Sequence, residues 1–189
     1  MNSPGEASPD AVALLEGWPL FDSWIERHGF SPYLRDYEVV VVAMAALRDG
    51  SGSYAQGRYH YLFSHCVEAH VHTSVKNESW RVSWEDTFID YEEWERAGSP
   101  NGFVWGVRGM DAYAGAKYLP NSPLSAAWTE RLAHRMHEVR IETNAHNLQL
   151  VFHGLTVLQT ARGDVDSGDL TDIAPVVIGR FQAAPADGV

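Results

Sequence analysis

Cysteine is almost absent. Cys66 is the single one in 189 residues, so neither an intramolecular disulfide nor a cysteine-based zinc site can form, and the reducing cytoplasm is the expected compartment. Lysine is nearly as scarce, occurring only at Lys76 and Lys117, and no Lys/Arg cluster breaks a balance of 25 acids against 14 bases with a formal net charge of −11. Binding to a phosphate backbone needs a basic patch that releases counterions, so nucleic acid is not an expected partner. A basic protein or a cationic small molecule suits the charge better. No stretch approaches 18 consecutive apolar residues, and Met1 to Asp10 lacks a basic segment leading into an apolar one. Neither a membrane span nor a secretory signal is therefore expected. The chain also lacks a Gly-x-Ser-x-Gly elbow and a Gly-rich loop followed by Lys, the signatures of a serine nucleophile and of a phosphate cradle. The acidic stretch from Asp164 to Asp172 fails the calcium-loop pattern, because Gly168 falls on a ligand position.

What is present is a globular composition: 45% hydrophobic and 12% aromatic residues, with seven Trp and eight Tyr. That is enough for one medium-sized domain. Residues 1–17 are expected to be a disordered or loosely ordered leader, 18–161 a single domain, and 162–189 an acidic linker and tail with an edge strand near Pro175 to Phe181. Leu20, Phe21, Trp24 and Ile25 recur with helical spacing up to Gly29. The β-branched run Val39 to Val42 is a strand, and Arg58 to Val75 is its return, interrupted because 18 residues exceed the usual strand length. Ser83 begins a helix running to Ala97, Phe103 to Arg108 is a short strand, and Ser122-Pro123 begins another helix bearing Leu124, Ala127, Trp128 and Leu132. His137 to Thr143, a turn at 144–147, Leu148 to Phe152 and Leu155 to Thr160 continue the sheet, with Gly154 as a bend. The expected class is α+β, a predominantly antiparallel sheet with about three helices packed on it.

Two segments alternate at period two and place ionisable groups on one face. In the first, Glu68, His70 and His72 oppose Val67, Ala69 and Val71. In the second, Glu138, Arg140 and Glu142 oppose Val139 and Ile141. If the two strands share a sheet, one face is core and the other a concentrated surface of carboxylate, imidazole and guanidinium. Glu68, His70 and His72, completed by His60, Glu138 or Glu142, are the candidate ligands for a divalent metal such as zinc or iron; the leading expectation is no cofactor. Glu138, Arg140 and Glu142, with His137, are the candidate acid/base and anion-binding groups. Cys66 shares the parity of Glu68 and His70, yet isolated cysteines are usually small buried hydrophobes. Trp84, Phe88, Tyr91 and Trp94 form an aromatic stripe that reads first as a core face. With Trp105, Tyr113 and Tyr118, the residues Trp84, Tyr91 and Trp94 could instead line a binding groove.

Beyond these patterns, the runs Phe21-Asp22-x-Trp24 to His28-Gly29-Phe30, Arg35 to Glu38, His65-Cys66-x-Glu68-Ala69-His70, Asp90-Tyr91-x-x-Trp94, Gly102 to Gly106 and His137 to Asn144 resemble small bacterial proteins with a YxiG-like domain. The resemblance spans roughly residues 18 to 160. It implies no catalytic residues, and by the family's genomic neighbourhood it points toward toxin and immunity loci. Two function classes follow. The first is a non-catalytic protein-binding module, an immunity-type inhibitor masking a basic partner with an acidic, aromatic-rich surface. The second is a small enzyme using the polar sheet face. An exposed edge strand would permit a homodimer.

Overall fold

A computed structural model describes residues 9–17, 19–32, 34–46, 54–74, 91–100, 110–164 and 169–182. Its strands are β1 (Trp24–Phe30), β2 (Tyr37–Ala46), β3 (Tyr54–Ser64), β4 (Glu68–Thr73), β5 (Met110–Asp111), β6 (Gly115–Leu119), β7 (His137–Glu142), β8 (His146–Phe152), β9 (Gly154–Asp164) and β10 (Thr171–Gln182). The helices are α1 (Pro9–Leu15), α2 (Tyr91–Arg96) and α3 (Pro123–Leu132). The strands form two sheets, in the orders β10-β9-β3-β2-β1-β5 and β4-β8-β7-β6. Every ladder in both is antiparallel, so the α+β class with a dominant antiparallel sheet is the one observed.

The sheets are joined because two chain segments run through both. The segment from Arg58 breaks at His65, which takes the left-handed conformation at φ 49°, and continues as β4. Its partner turns at His153 between β8 and β9. The ladder persists across the corner: Val67 N donates to Val151 O at 2.9 Å and His153 N to Ser64 O at 3.0 Å. These bonds carry the backbone pairing across the bend.

The core lies between the sheets. Val39, Val41, Tyr61, Phe63, Leu155 and Val157 line one inner face, and Val139, Ile141, Leu148, Leu150 and Phe152 the other, all buried. Phe63 and Phe152 meet edge to face at 4.9 Å, a favoured aromatic geometry. Helix α1 packs against β10 and β6, with Ala11 and Leu15 fully buried. Its last turn extends to Glu16, whose Oε1 accepts from Tyr118 N at 2.9 Å.

Three expectations are corrected. The leader is ordered from Pro9, because α1 supplies core side chains. Leu20 to Ile25 is not helical: Asp22 at φ 54° breaks the chain, Leu20 is buried in a turn, and Trp24 begins β1, which supplies a partner ladder for β2. Finally, α3 starts where Ser122-Pro123 indicates, with Ser122 Oγ accepting from Ser125 N at 3.0 Å, but Ser125 is its only buried residue, while Ala127 and Leu132 are exposed. The described part of the helix expected to Ala97 is α2, which buries no residue. The rest of that helix and the strand expected at Phe103 to Arg108 lie outside the described residues. The expected edge strand is present as β10, which among the described residues pairs only with β9.

Candidate functional site

The two alternating segments do share a sheet. Strand β8 lies between β4 and β7, and cross-strand register puts Glu68, Val151 and Glu138 in one row, His70, Gln149, Arg140 and Lys117 in the next. Beside these, His72 opposes Asn147, and Glu142 opposes Gly115. Directly opposed residues share a face. The polar row read from two distant segments is therefore one continuous outer face of the four-stranded sheet.

Helix α3 lies over the first row. Trp128 Nε1 donates to Glu68 Oε2 at 2.5 Å, while the other carboxylate oxygen, Oε1, meets His70 Nε2 at 2.6 Å. These two hydrogen bonds, the His70 one foremost, hold the Glu68 carboxyl below its ordinary range against the opposing effect of burial. Arg131 stacks over the Trp128 ring at 4.1 Å from its centroid, steadying the indole.

Glu138 is the unusual member. Only 1% of it is exposed, and its Oε1 accepts from Arg140 Nε and from Gln149 Nε2, both at 2.9 Å. A buried carboxylate needs such donors. Arg140, in contrast, keeps 56% of its side chain exposed, so a buried acid anchors a guanidinium whose remaining donors face outward. Next to it is a depression of about 370 Å³ lined by His72, Arg140, Ile141, Glu142, Asn147, Leu148 and Gln149.

The remaining predicted residues fall elsewhere. His137 lies on the inner face: it is 2% exposed, its Nδ1 is 2.7 Å from Tyr118 Oη, and the Phe181 ring is 4.8 Å away. Burial, with Arg135 and His153 adding to it, lowers its pKa to about 3. It cannot act with Glu138, since successive strand residues point to opposite faces. Tyr118 is likewise core, at 5% exposure, and so is not part of an aromatic groove. Tyr91 and Tyr113 are exposed; Trp94 is half-buried and donates from Nε1 to Pro100 O at 2.8 Å. Trp84 and Trp105 lie outside the described residues. Cys66 is buried, and burial pushes its thiol up to about 12, which keeps the nucleophilic thiolate from forming at neutral pH.

The metal set is not brought together. His60 belongs to the other sheet, where its Nδ1 lies 2.6 Å from Glu38 Oε1, and Glu68 already accepts from Trp128 and His70. Among the described residues no three His, Cys, Asp or Glu side chains are placed to hold a metal ion. That correction follows from register, which opposes His70 and His72 to amides, Gln149 and Asn147.

A second charged face was not anticipated. On the outside of the six-stranded sheet, Arg58 bridges Glu26 (Nε to Oε2, 2.9 Å) and Asp172 (Nη1 to Oδ1, 3.2 Å), while Glu38 bridges Arg27 and His60 at 2.9 and 2.6 Å. Glu26, Arg27, Arg58, His60 and Asp172 line a groove of about 540 Å³ over Val40. Glu26 and Asp172 lie 32 and 114 residues from Arg58 in the chain, so no local pattern announces the pairs.

These observations define a β-dominated α+β domain: two antiparallel sheets sharing bent strands, apolar where they face each other and ionisable outside. More particularly, the chain belongs to the YxiG-like protein family, whose model matches residues 12–167. No curated protein and no solved structure matches it. Among the described residues no helix is long and apolar enough to cross a membrane.

Proposed function

We propose that this protein is a non-catalytic protein-binding module, an immunity-type inhibitor that masks a basic partner. The observation that carries this reading is a set of exposed aromatic residues in the segments around the β1–β5 edge of a chain with net charge −11. Phe21, Trp24 and Tyr113 are 48%, 44% and 66% exposed. Trp24 opposes Asp111 in the sheet, Asp22 N donates to Ala112 O at 3.0 Å, and the Phe21 ring lies against Gly115. The exposed carboxylates Asp22 and Asp111 thus flank the rings. Large aromatics ringed by charge are the usual anchors of an interface, and the excess negative charge steers a cationic partner. The class of partner rests on what the family resemblance implies, a toxin and immunity locus.

The ionisable clusters support the non-catalytic half of the proposal. Glu138 is committed to two donors, Cys66 is held as a thiol, Arg58 pairs with Glu26 and Asp172, and Glu38 pairs with Arg27 and His60. The Glu68–His70 pair favours the second reading, a small enzyme, because it orients an exposed imidazole as a general base would be oriented. Calorimetry against purified basic proteins encoded by adjacent genes tests the first. Binding is expected to weaken with salt and to fall at least tenfold in Trp24→Ala/Tyr113→Ala. Affinity indifferent to both changes would sink it.

A further inference from the structure

The depression beside Arg140 has a polarity that can be read atom by atom. Gln149 spends its amide nitrogen on the Glu138 carboxylate, which can only accept, so its Oε1 is left as an acceptor. Asn147 is fixed in the opposite sense: its Oδ1 accepts from Thr143 N at 2.9 Å, leaving the amide nitrogen as a donor. Arg140 uses Nε on Glu138, and its Nη1 and Nη2 fork stays available. His72 and Glu142, both exposed, complete the lining. Lys117 opposes Arg140 on the neighbouring strand.

The site therefore offers a guanidinium fork and an amide donor along one diagonal of the β7–β8 ladder, and a carboxylate and an amide oxygen along the other. Arg forks match carboxylates in two-point geometry. A buried acid that orients them removes the freedom that a surface Arg would lose on binding. A volume of about 370 Å³ falls in the range of small-molecule sites, roughly 300–1,000 Å³.

We propose that this depression binds a small carboxylate bearing an adjacent ammonium or hydroxyl group, the chemistry of an α-amino or α-hydroxy acid. The carboxylate bridges Arg140 and Asn147, and the adjacent donor reaches Gln149 Oε1 or Glu142. Glu138 is a positioning residue that never touches the ligand. This site uses none of the aromatic residues, although Phe21 lies against Gly115, which opposes Glu142; small-molecule binding and partner binding are read out separately, so the two proposals fail independently.

The test is a side-chain NMR titration of the full chain, following the amide groups of Asn147 and Gln149 and the Arg140 Nε–H with L-serine, lactate and acetate. Saturable shifts are expected with L-serine and lactate, with acetate at least tenfold weaker for want of the second group. Arg140→Gln should abolish them. Glu142→Gln should weaken L-serine more than lactate, because only the former carries an ammonium. Glu138→Gln is the decisive variant: removing a negative charge would tighten a merely electrostatic site, whereas loss of the anchor loosens a preorganised one by at least tenfold. Absence of saturable shifts, shifts that survive Arg140→Gln, or tighter binding in Glu138→Gln would each overturn the proposal. Should Glu138→Gln unfold, Gln149→Leu tests the amide acceptor itself: at least tenfold weaker binding of L-serine and lactate is expected, and unchanged binding would overturn the proposal.

Discussion

A single histidine shows how burial, with Arg135 and His153 adding to it, converts a titratable group into a pH-dependent stability device. His137 sits between Tyr118, Phe152 and Phe181 with a pKa lowered from 6.5 to about 3. Above pH 6.5 both folded and unfolded chains carry it neutral. As pH falls below 6.5 the unfolded chain takes up the proton and the folded one does not, so stability drops, by up to about 1.4 kcal/mol per pH unit until the folded pKa is reached. Urea unfolding across pH 7 to 4 should show that slope, and His137→Phe should lack His137's part of it. Identical slopes in the two proteins would refute the assignment. The sequence contained the necessary signal: His137 shares the odd parity of Val139 and Ile141, the inward residues of β7, so grouping it with Glu138 set the alternation aside. The burial of Glu138 was not similarly legible. Parity puts it on the polar face, and only the placement of α3 over its row, marked by the Trp128 to Glu68 contact, explains why that end is dry.

At the scale of elements, helix α1 is the piece whose role reaches furthest beyond its local sequence. Its seven residues are too few to be helical alone, so packing between β10 and β6 holds it. Leu14 packs closely on Gly179 there: a Cβ added at that position would lie 2.5 Å from Leu14 Cδ2 and 3.3 Å from its Cγ. Gly179→Val should cost about 1–3 kcal/mol by overpacking. In combination with Leu14→Ala it should cost less than the sum of the two single changes, because the smaller side chain vacates the space. Thermal unfolding of the four proteins checks this; strict additivity would mean that the contact is not the cause. The helix was missed because the Pro-, Ser- and Gly-rich stretch before it dominated the reading, although Pro9 at a first-turn position with Ala11 and Leu15 one turn apart is a helix signature. The hairpin of β7 and β8 was legible for the converse reason: alternation and a polar turn agree over a single continuous stretch. The segment from Leu20 to Ile25 fits a helical spacing over too few residues to distinguish a helix from a turn leading into a strand.

For the whole molecule, the decisive fact is that neither sheet is made from its own stretch of chain. The paths β3 to β4 and β8 to β9 each cross from one sheet to the other, paired on both sides of the corner, and Phe63 of one sheet packs on Phe152 of the other. Breaking either sheet strips the inner face of its neighbour and pulls on two strands they hold in common. This arrangement predicts one cooperative transition. Near-ultraviolet circular dichroism, sensitive to the aromatic core, and far-ultraviolet circular dichroism, sensitive to the strands, should give superimposable urea curves with a common midpoint. Phe152→Ala should shift both together, by about 3–5 kcal/mol. Two separated transitions, or a Phe152→Ala shift confined to one probe, would show that the sheets are energetically independent despite their shared strands. The same wiring explains what could be read beforehand. Each polar row was visible within its own strand, but that β8 would unite them, and that Arg58 would find Glu26 and Asp172 across the second sheet, depends on pairings between distant segments that no local period encodes.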